Sequence, residues 1–440
     1  FLVFSTPISA EKTITFAVYK DKLMGGWLGQ GAAVSWTAET EGTSDHAIIP
    51  ESEIPEWTPS MVNGMFDQDD IYCELPLVNC AIDNGINCSS KQFGDYWKNT
   101  QFTLWCANEE ARNNLRNGVL APWSGHYTKH GSVEDIDWQI ESDWAGMLSP
   151  GLPLAAADLS FRAGHVMNYG DGVYGGVFVS AMHSAAFFAK NVTEIVNAGR
   201  DAIPVGSAYR QMIDDMIAWS AANADWKVTW RACETKYGTF HRYVETCWEE
   251  GIQVQCNGAY ILMGLLYGDG QWEKSVKISC QSGKDSDCNP SSVGAILGNY
   301  IGFAAMDSKW KSSLDLAGRN FQATSDNFTE VIDKNCSLAR TVVRMSGGTI
   351  TNEGAANETW TIPDQATIPL LLEAVPGNNP ADPVASTKKY SQSAALMPTI
   401  SNMTITKNAD NSYTYTANAS AATGQTIGQY QWFFGDLSYA

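Results

Sequence analysis

Two short acidic stretches carry residue types at spacings that suit metal chemistry. Ser282-Gly283-Lys284-Asp285-Ser286-Asp287-Cys288-Asn289-Pro290 sets two carboxylates one residue apart, just before a glycine-punctuated apolar helix predicted over residues 291–302. Asp67-Gln68-Asp69-Asp70 opens another apolar segment far upstream. Hard divalent cations take carboxylate oxygens, and carboxylates gathered in a poorly charged interior repel one another strongly without a cation. Each stretch also has a plain structural explanation. A helix dipole favours acidic residues in its first turn, which covers Asp67, Asp69 and Asp70. Asn289 followed by Pro290 suits a helix N-cap and first position.

The elements that must position these residues read as helices. Residues 21–31 place apolar residues and glycines at helical spacing, with Gly25, Gly26 and Gly29 where another helix can approach closely. Glu39 and Glu41 follow in a polar loop that runs to Ser60. A helix is predicted over 67–84 with a kink at Pro76, then helices over 105–115, 137–146 and 152–167. Asn168-Tyr169-Gly170-Asp171-Gly172-Val173-Tyr174-Gly175-Gly176 reads as a glycine-rich turn feeding a helix over 177–190. Such a turn exposes backbone N–H groups suited to a diphosphate, or simply connects two helices tightly. Further helical segments bring the count to about a dozen without alternating strands, so residues 21–346 are all-α. Residues 1–20 read as an extended arm and 347–395 as a β-leaning extension and linker. Residues 396–440 read as part of a β-sandwich, with strands over 399–406, 412–418 and 428–434. Tyr430-Gln431-Trp432-Phe433-Phe434-Gly435-Asp436 resembles the buried-Trp strand of a PKD-type, immunoglobulin-like domain, which needs about seven strands.

Composition narrows the function classes. A chain of 440 residues, 44% hydrophobic and 17% charged, can bury a large core. A formal charge of −20 without a Lys/Arg cluster excludes a nucleic-acid partner held through its phosphates. No apolar run approaches the roughly 20 residues of a membrane span. Ten cysteines without CxxC pairs make no zinc framework. Cys73 and Cys80, seven apart on one predicted helix, are too far apart to bridge, while Cys88 is free to pair elsewhere. Sequons at Asn87, Asn191, Asn327, Asn335, Asn357, Asn402 and Asn418 mark candidate glycosylation sites, and with the cysteines and low Lys/Arg content they point to an extracellular, secreted protein. The 16 tryptophans raise a carbohydrate-binding module, although Trp138 and Trp144, at helical spacing, suit a core.

Taken in order, Gly25-Gly26-Trp27-Leu28-Gly29-Gln30, Gln68-Asp69-Asp70, residues 137–150, residues 168–176 and residues 283–294 resemble the ADP-ribosylglycohydrolase family over about residues 21–346. The resemblance implies a compact all-α fold with two Mg²⁺ ions in a central cleft, Mn²⁺ or Ca²⁺ being alternatives. It implies that Asp69, Asp70, Asp285 and Asp287 form the cage. It also implies that Glu41, with Glu39 as fallback, is the general acid/base for attack on a glycosidic carbon, and that Asp143, Tyr169, Gly170 and Tyr174 shape the nucleoside-diphosphate pocket. Gln68 and Ser286 stand where family members commonly have Thr.

The function so implied is a secreted, metal-dependent glycohydrolase that cleaves an ADP-ribosyl or related ribosyl linkage on a small substrate or a modified protein. The alternative is an extracellular structural protein that reuses the fold with weakened catalysis. It would assemble head-to-tail by strand complementation between the apolar N-terminal arm, residues 1–8, and the incomplete C-terminal sheet.

Overall fold

Glycines in the first long helix decide which second helix can lie against it. The computed structural model describes residues 11–239, 242, 251–370, 372–373, 399–407 and 413–420. Its first helix, Phe16–Thr37, starts at an N-cap Thr15 whose side chain accepts the Val18 N–H. It therefore begins five residues before the boundary expected at Asp21. It runs antiparallel to the helix Cys288–Ile301, since Gly25 faces Gly298 and Gly29 faces Gly294. A methyl group on Gly29 would sit 2.0 Å from the Gly294 carbonyl oxygen, and one on Gly25 would sit 2.3 Å from that of Gly298. The two backbones are in direct contact, which side chains at these positions would forbid. One helix ends just before Glu41 and the other begins just after Asp287, so this antiparallel pair carries both ends of the candidate site to one place.

The rest of the first unit, Phe1–Pro383, is mainly helical. Segments far apart in sequence close it with a small antiparallel sheet. Strand β1 (Lys12–Thr15) pairs with β3 (Thr359–Ile362), which pairs in turn with β2 (Thr349–Thr351), in the order β1-β3-β2. Trp360 on β3 is fully buried and packs on Tyr19 with ring centroids 4.5 Å apart. The β-leaning extension thus folds back onto the start of the helical unit. Trp138 and Trp144 are core residues, both wholly buried.

Several element boundaries differ from expectation for local reasons. The helix expected over 67–84 is a 3-10 helix Pro59–Asp67, a short helix Asp69–Tyr72 and a separate helix Glu74–Asn84. The break falls at Cys73, and Pro76 lies in the first turn of the last piece, where its missing N–H has no helical partner to lose. The glycine-rich segment is no turn. The helix begins at Asp171 and runs to Ala186, with Gly170 at φ 57° as its N-cap. Gly172 and Gly176 lie within it because Val133 and Trp138 pack where their side chains would be. The helix expected over 137–146 is two short ones, Asp137–Ile140 and Asp143–Met147.

The second unit, Val384–Ala440, contains the antiparallel pair β4 (Thr399–Lys407) and β5 (Tyr413–Ser420), with a register shift between Ser401 and Met403. The third strand expected over 428–434 and the apolar arm over 1–8 lie outside the described residues, as do the side chains of Asn402 and Asn418. Among the other sequons, Asn335 is corrected. Its side chain is fully buried inside the helix Phe328–Met345 and donates to the Val331 carbonyl at 2.8 Å, so a glycan has no room there. Asn87, Asn191 and Asn357 are exposed and Asn327 is half-buried. Cys106 is disulfide-bonded, whereas Cys73, Cys80 and Cys88 are buried thiols. No helix among the described residues is long and apolar enough to cross a membrane.

Candidate metal centre and cavity

The turn that carries Asp285 and Asp287 is tied on three sides. Ser286 donates to the Thr40 carbonyl at 2.7 Å, and the Lys284 amide donates to the Ser44 carbonyl at 2.7 Å. Gly283 and Lys284 both have positive φ, 86° and 56°, which makes the corner sharp. Behind it Asn257 acts as a hub: its Oδ1 accepts the Asp285 amide at 3.2 Å and the Asn289 side-chain amide at 2.7 Å. Asn289 is therefore not the N-cap. Asp287 holds that position, and Pro290 sits in the first turn of the helix.

Opposite this turn, Asp69 and Asp70 occupy the first turn of the short helix Asp69–Tyr72. Ligand atoms of Asp69, Asp70 and Cys288 lie within 4.8 Å of one another, and so do those of Asp285, Asp287 and Cys288. The two acidic stretches, more than two hundred residues apart in sequence, thus meet at Cys288. Burial leaves their oxygens short of partners: neither oxygen of Asp70, nor one oxygen each of Asp285 and Asp287, has a hydrogen bond.

The electrostatics follow from this crowding. Burial, then the Asp285 charge, pushes Asp69 up to about 6, against the opposing pull of the Asp70 amide. Burial and the Asp69 charge raise Asp70 well above the carboxylate range. Burial raises Asp285, and burial with the adjoining Asp285 charge raises Asp287. Glu41, at the end of the 3-10 helix Ala38–Thr40 and open to solvent, is pushed up to about 7 by partial burial and then by Asp285 and Asp69. A cation inverts each of these shifts, because it favours the ionised form. The donor set is almost wholly carboxylate, which suits hard divalent ions, and the unpartnered oxygens are the lone pairs such ions take up.

The cluster opens onto a cavity of about 590 Å³, within the range of small-molecule sites. Glu41, Asp69, Asp285 and Asp287 line it, together with Gln68, Tyr72, Trp105, Asn108, Asp137 and Cys288. Asp137 accepts the Asn108 backbone N–H at 2.9 Å, and burial still pushes it up to about 7. Trp105 is 60% exposed at the rim, an aromatic face open to a ligand. The sequence alone left Asp137, Trp105, Tyr72 and Cys288 without a role in the site. They come from segments that only the fold joins, and of the four Cys288 and Asp137 lay inside stretches already singled out.

The four residues expected to shape a nucleoside-diphosphate pocket do not line this cavity. Asp143 is wholly buried and meets His183 Nε2 at 2.7 Å. Tyr169 sits among the rings of His126, Tyr127 and His165. The Gly170 N–H donates to Glu373 at 2.9 Å, and the Tyr174 hydroxyl accepts the Glu373 N–H at 2.6 Å. The backbone amide expected to face a diphosphate is thus satisfied by a carboxylate of the chain's own C-terminal extension. Glu39 is exposed outside the cavity lining, whereas Asp67 lines the cavity from an exposed position and is paired with Arg319.

Comparison with known proteins agrees with the family expected from the motifs. Residues 16–338 match the ADP-ribosylglycohydrolase family. A solved structure described as an ADP-ribosylglycohydrolase-related protein complex is similar at 14% identity with a TM-score of 0.49, covering 74% of this chain and 99% of that one. No curated protein matches the sequence.

Proposed function

The chain belongs to the ADP-ribosylglycohydrolase family, and from this we propose that the cavity hydrolyses the bond between an ADP-ribosyl group, or a related ribosyl group, and its acceptor. The observation that carries this reading is the convergence of Glu41, Asp69, Asp285 and Asp287 on one ligand-sized cavity, with the buried Asp70 grouped beside Asp69 and Cys288. Asp69, Asp70, Asp285 and Asp287 would hold divalent cations, and on carboxylate chemistry alone Mg²⁺ leads, with Mn²⁺ and Ca²⁺ fitting the same donors. Such ions supply Lewis-acid charge at the sugar oxygens when bound.

The chain's own groups do the rest. Glu41, open to solvent on the cavity side, takes a proton from the attacking water, so that the water oxygen bonds to the anomeric carbon as the bond to the acceptor breaks. Glu41 then yields that proton to the leaving acceptor, so that one water is split across the bond and the carboxylate is restored. Trp105 offers a face on which a base or sugar stacks. The substrate class is an ADP-ribosylated small molecule or protein. The Cys106 disulfide supports an extracellular or otherwise oxidising setting.

Incubation of the full chain with ADP-ribosylated arginine and serine peptides plus Mg²⁺ tests the activity. Release of ADP-ribose is expected, and Glu41→Gln should lower kcat by roughly 10²–10⁴-fold. No release by the wild type, or equal release by Asp285→Ala, removes the reading.

A further inference from the structure

The two aspartate pairs share one neighbour that is not an oxygen. Cys288 Sγ belongs to both close groups, with Asp69 and Asp70 on one side and Asp285 and Asp287 on the other. The residue is 5% exposed, borders the cavity and carries a free thiol. Its position is fixed by the same turn that fixes the aspartates. It is the first residue of the helix Cys288–Ile301, and Asn289 next to it is tied to Asn257 at 2.7 Å. The hydroxyl of Ser286, the other small polar group of the motif, is committed to the Thr40 carbonyl and does not compete. The unpartnered oxygens of Asp70, Asp285 and Asp287 are a second, separate sign that this spot is built for a ligand.

On the reading that these carboxylates hold divalent cations, we propose that Cys288 supplies a sulfur ligand shared between the two halves of the cage. The site then takes borderline ions such as Mn²⁺, Co²⁺ and Zn²⁺ more readily than an all-oxygen cage would, relative to Mg²⁺ or Ca²⁺. Sulfur donors favour softer ions, whereas carboxylates suit Mg²⁺, Ca²⁺ and Mn²⁺. An all-oxygen cage already ranks divalent ions, so the sulfur's share is the part of the preference lost when it becomes oxygen. Cys288→Ser makes that exchange at nearly constant size.

The test is an absorption titration of the full, chelator-treated chain with Co²⁺, followed by competition with Mg²⁺. The wild type is expected to show ligand-field bands together with a sulfur-to-cobalt charge-transfer band. Cys288→Ser should keep the ligand-field bands, lose the charge-transfer band and lose Co²⁺ preference over Mg²⁺ by more than roughly tenfold, the lower end of what even an outer-sphere partner contributes. Ligand-field bands without a charge-transfer band in the wild type overturn the sulfur ligand and leave the carboxylate cage standing. No Co²⁺ binding at all overturns the cage and the proposal together. If the serine variant fails to fold, alkylation of Cys288 in the native wild type, mapped by mass spectrometry, decides. Protection by Co²⁺ or Zn²⁺ well beyond that by Mg²⁺ at the same concentration supports the ligand, and equal or absent protection overturns it.

Discussion

Asp70 and Glu74 lie four residues apart, are both wholly buried, and differ in what surrounds their oxygens. Glu74 accepts hydrogen bonds from the Gln30 side chain at 2.8 Å and the Trp144 backbone at 2.9 Å. Asp70 accepts none. A buried acid without donors either ionises at a high desolvation cost or keeps a proton that water would remove at neutral pH, and both destabilise the fold. Asp70→Asn keeps a neutral polar group there but removes the ionisation penalty, so it should stabilise the chelator-treated protein near pH 7.5 by on the order of 1 kcal/mol or more, the excess cost of a buried charged group over a neutral one. The gain should shrink near pH 4, where the wild type is protonated anyway. The same substitution should abolish the rise in Tm that divalent ions give the wild type. Thermal unfolding with and without chelator at the two pH values measures both effects, and a variant less stable than wild type in chelator would refute the argument. At this scale the sequence was informative where chemistry clusters along the chain. Asp69, Asp70, Asp285 and Asp287 could be read as candidates because each pair abuts an apolar helix, whereas Glu41, in a polar loop, stood out only through the family resemblance. Asp137 and Trp105 could not, since nothing near them in sequence marks them as facing those pairs.

At the scale of elements, the contact between the helices Phe16–Thr37 and Cys288–Ile301 positions both halves of the site. It was half-legible: the glycine spacing announced a close neighbour without naming it. Gly29→Ala would put a methyl 2.0 Å from the Gly294 carbonyl oxygen, a backbone atom that moves only if the helices separate. Overpacking of this kind costs about 1–3 kcal/mol or more. Here it should also weaken ion binding, because separation pulls Glu41 and Asp287 apart. Gly64→Ala is the milder control, since its methyl would meet side-chain rather than backbone atoms, the Ser35 hydroxyl at 2.9 Å and the Ser35 Cβ at 3.1 Å, and needs a shift of only a few tenths of an ångström once the hydroxyl rotates. Chemical denaturation and ion titration of both variants test the contrast, and equal losses would show that the helix contact has no special part in holding the site. The glycine-rich segment around Asp171 shows where pattern reading fails. Gly172 and Gly176 make room for Val133 and Trp138, yet glycines in a turn and glycines under a packed neighbour look alike in sequence.

At the scale of the whole molecule, the all-α class was legible from helical periodicity. The sheet joining Lys12–Thr15 to Thr359–Ile362 was not, because pairing across nearly the whole unit leaves no local signal. The fold also gathers acids from distant segments into one interior cavity, and this makes stability depend on pH in a definite sense. Asp69, Asp137 and Glu41 have folded-state values of about 6, 7 and 7, above the ordinary 3.8, 3.8 and 4.5. Between those limits the folded chain binds more protons than the unfolded one. Their contribution is thus fully present below about pH 4 and is lost as pH rises through 6 to 7. Glu358 works in the opposite sense. Although its burial opposes it, hydrogen bonds from Arg340, the Gly354 amide and Trp360 hold it at about 2. Its stabilising share is lost only as pH falls from about 4.5 through 2, below the window that the cavity acids set. In chelator, Tm should therefore fall between about pH 5 and pH 7.5, by an amount reflecting a few kcal/mol once the solvent-open Glu41 is discounted. Saturating divalent ion should flatten that fall, since a cation holds the same carboxylates ionised and turns their mutual repulsion into binding. The general repulsion of a chain of formal charge −20 acts with or without the ion, so the difference between the two slopes isolates the cavity. Parallel slopes with and without ion would mean that these carboxylates do not titrate as a cation site, and would count against the proposed function before any substrate is tried.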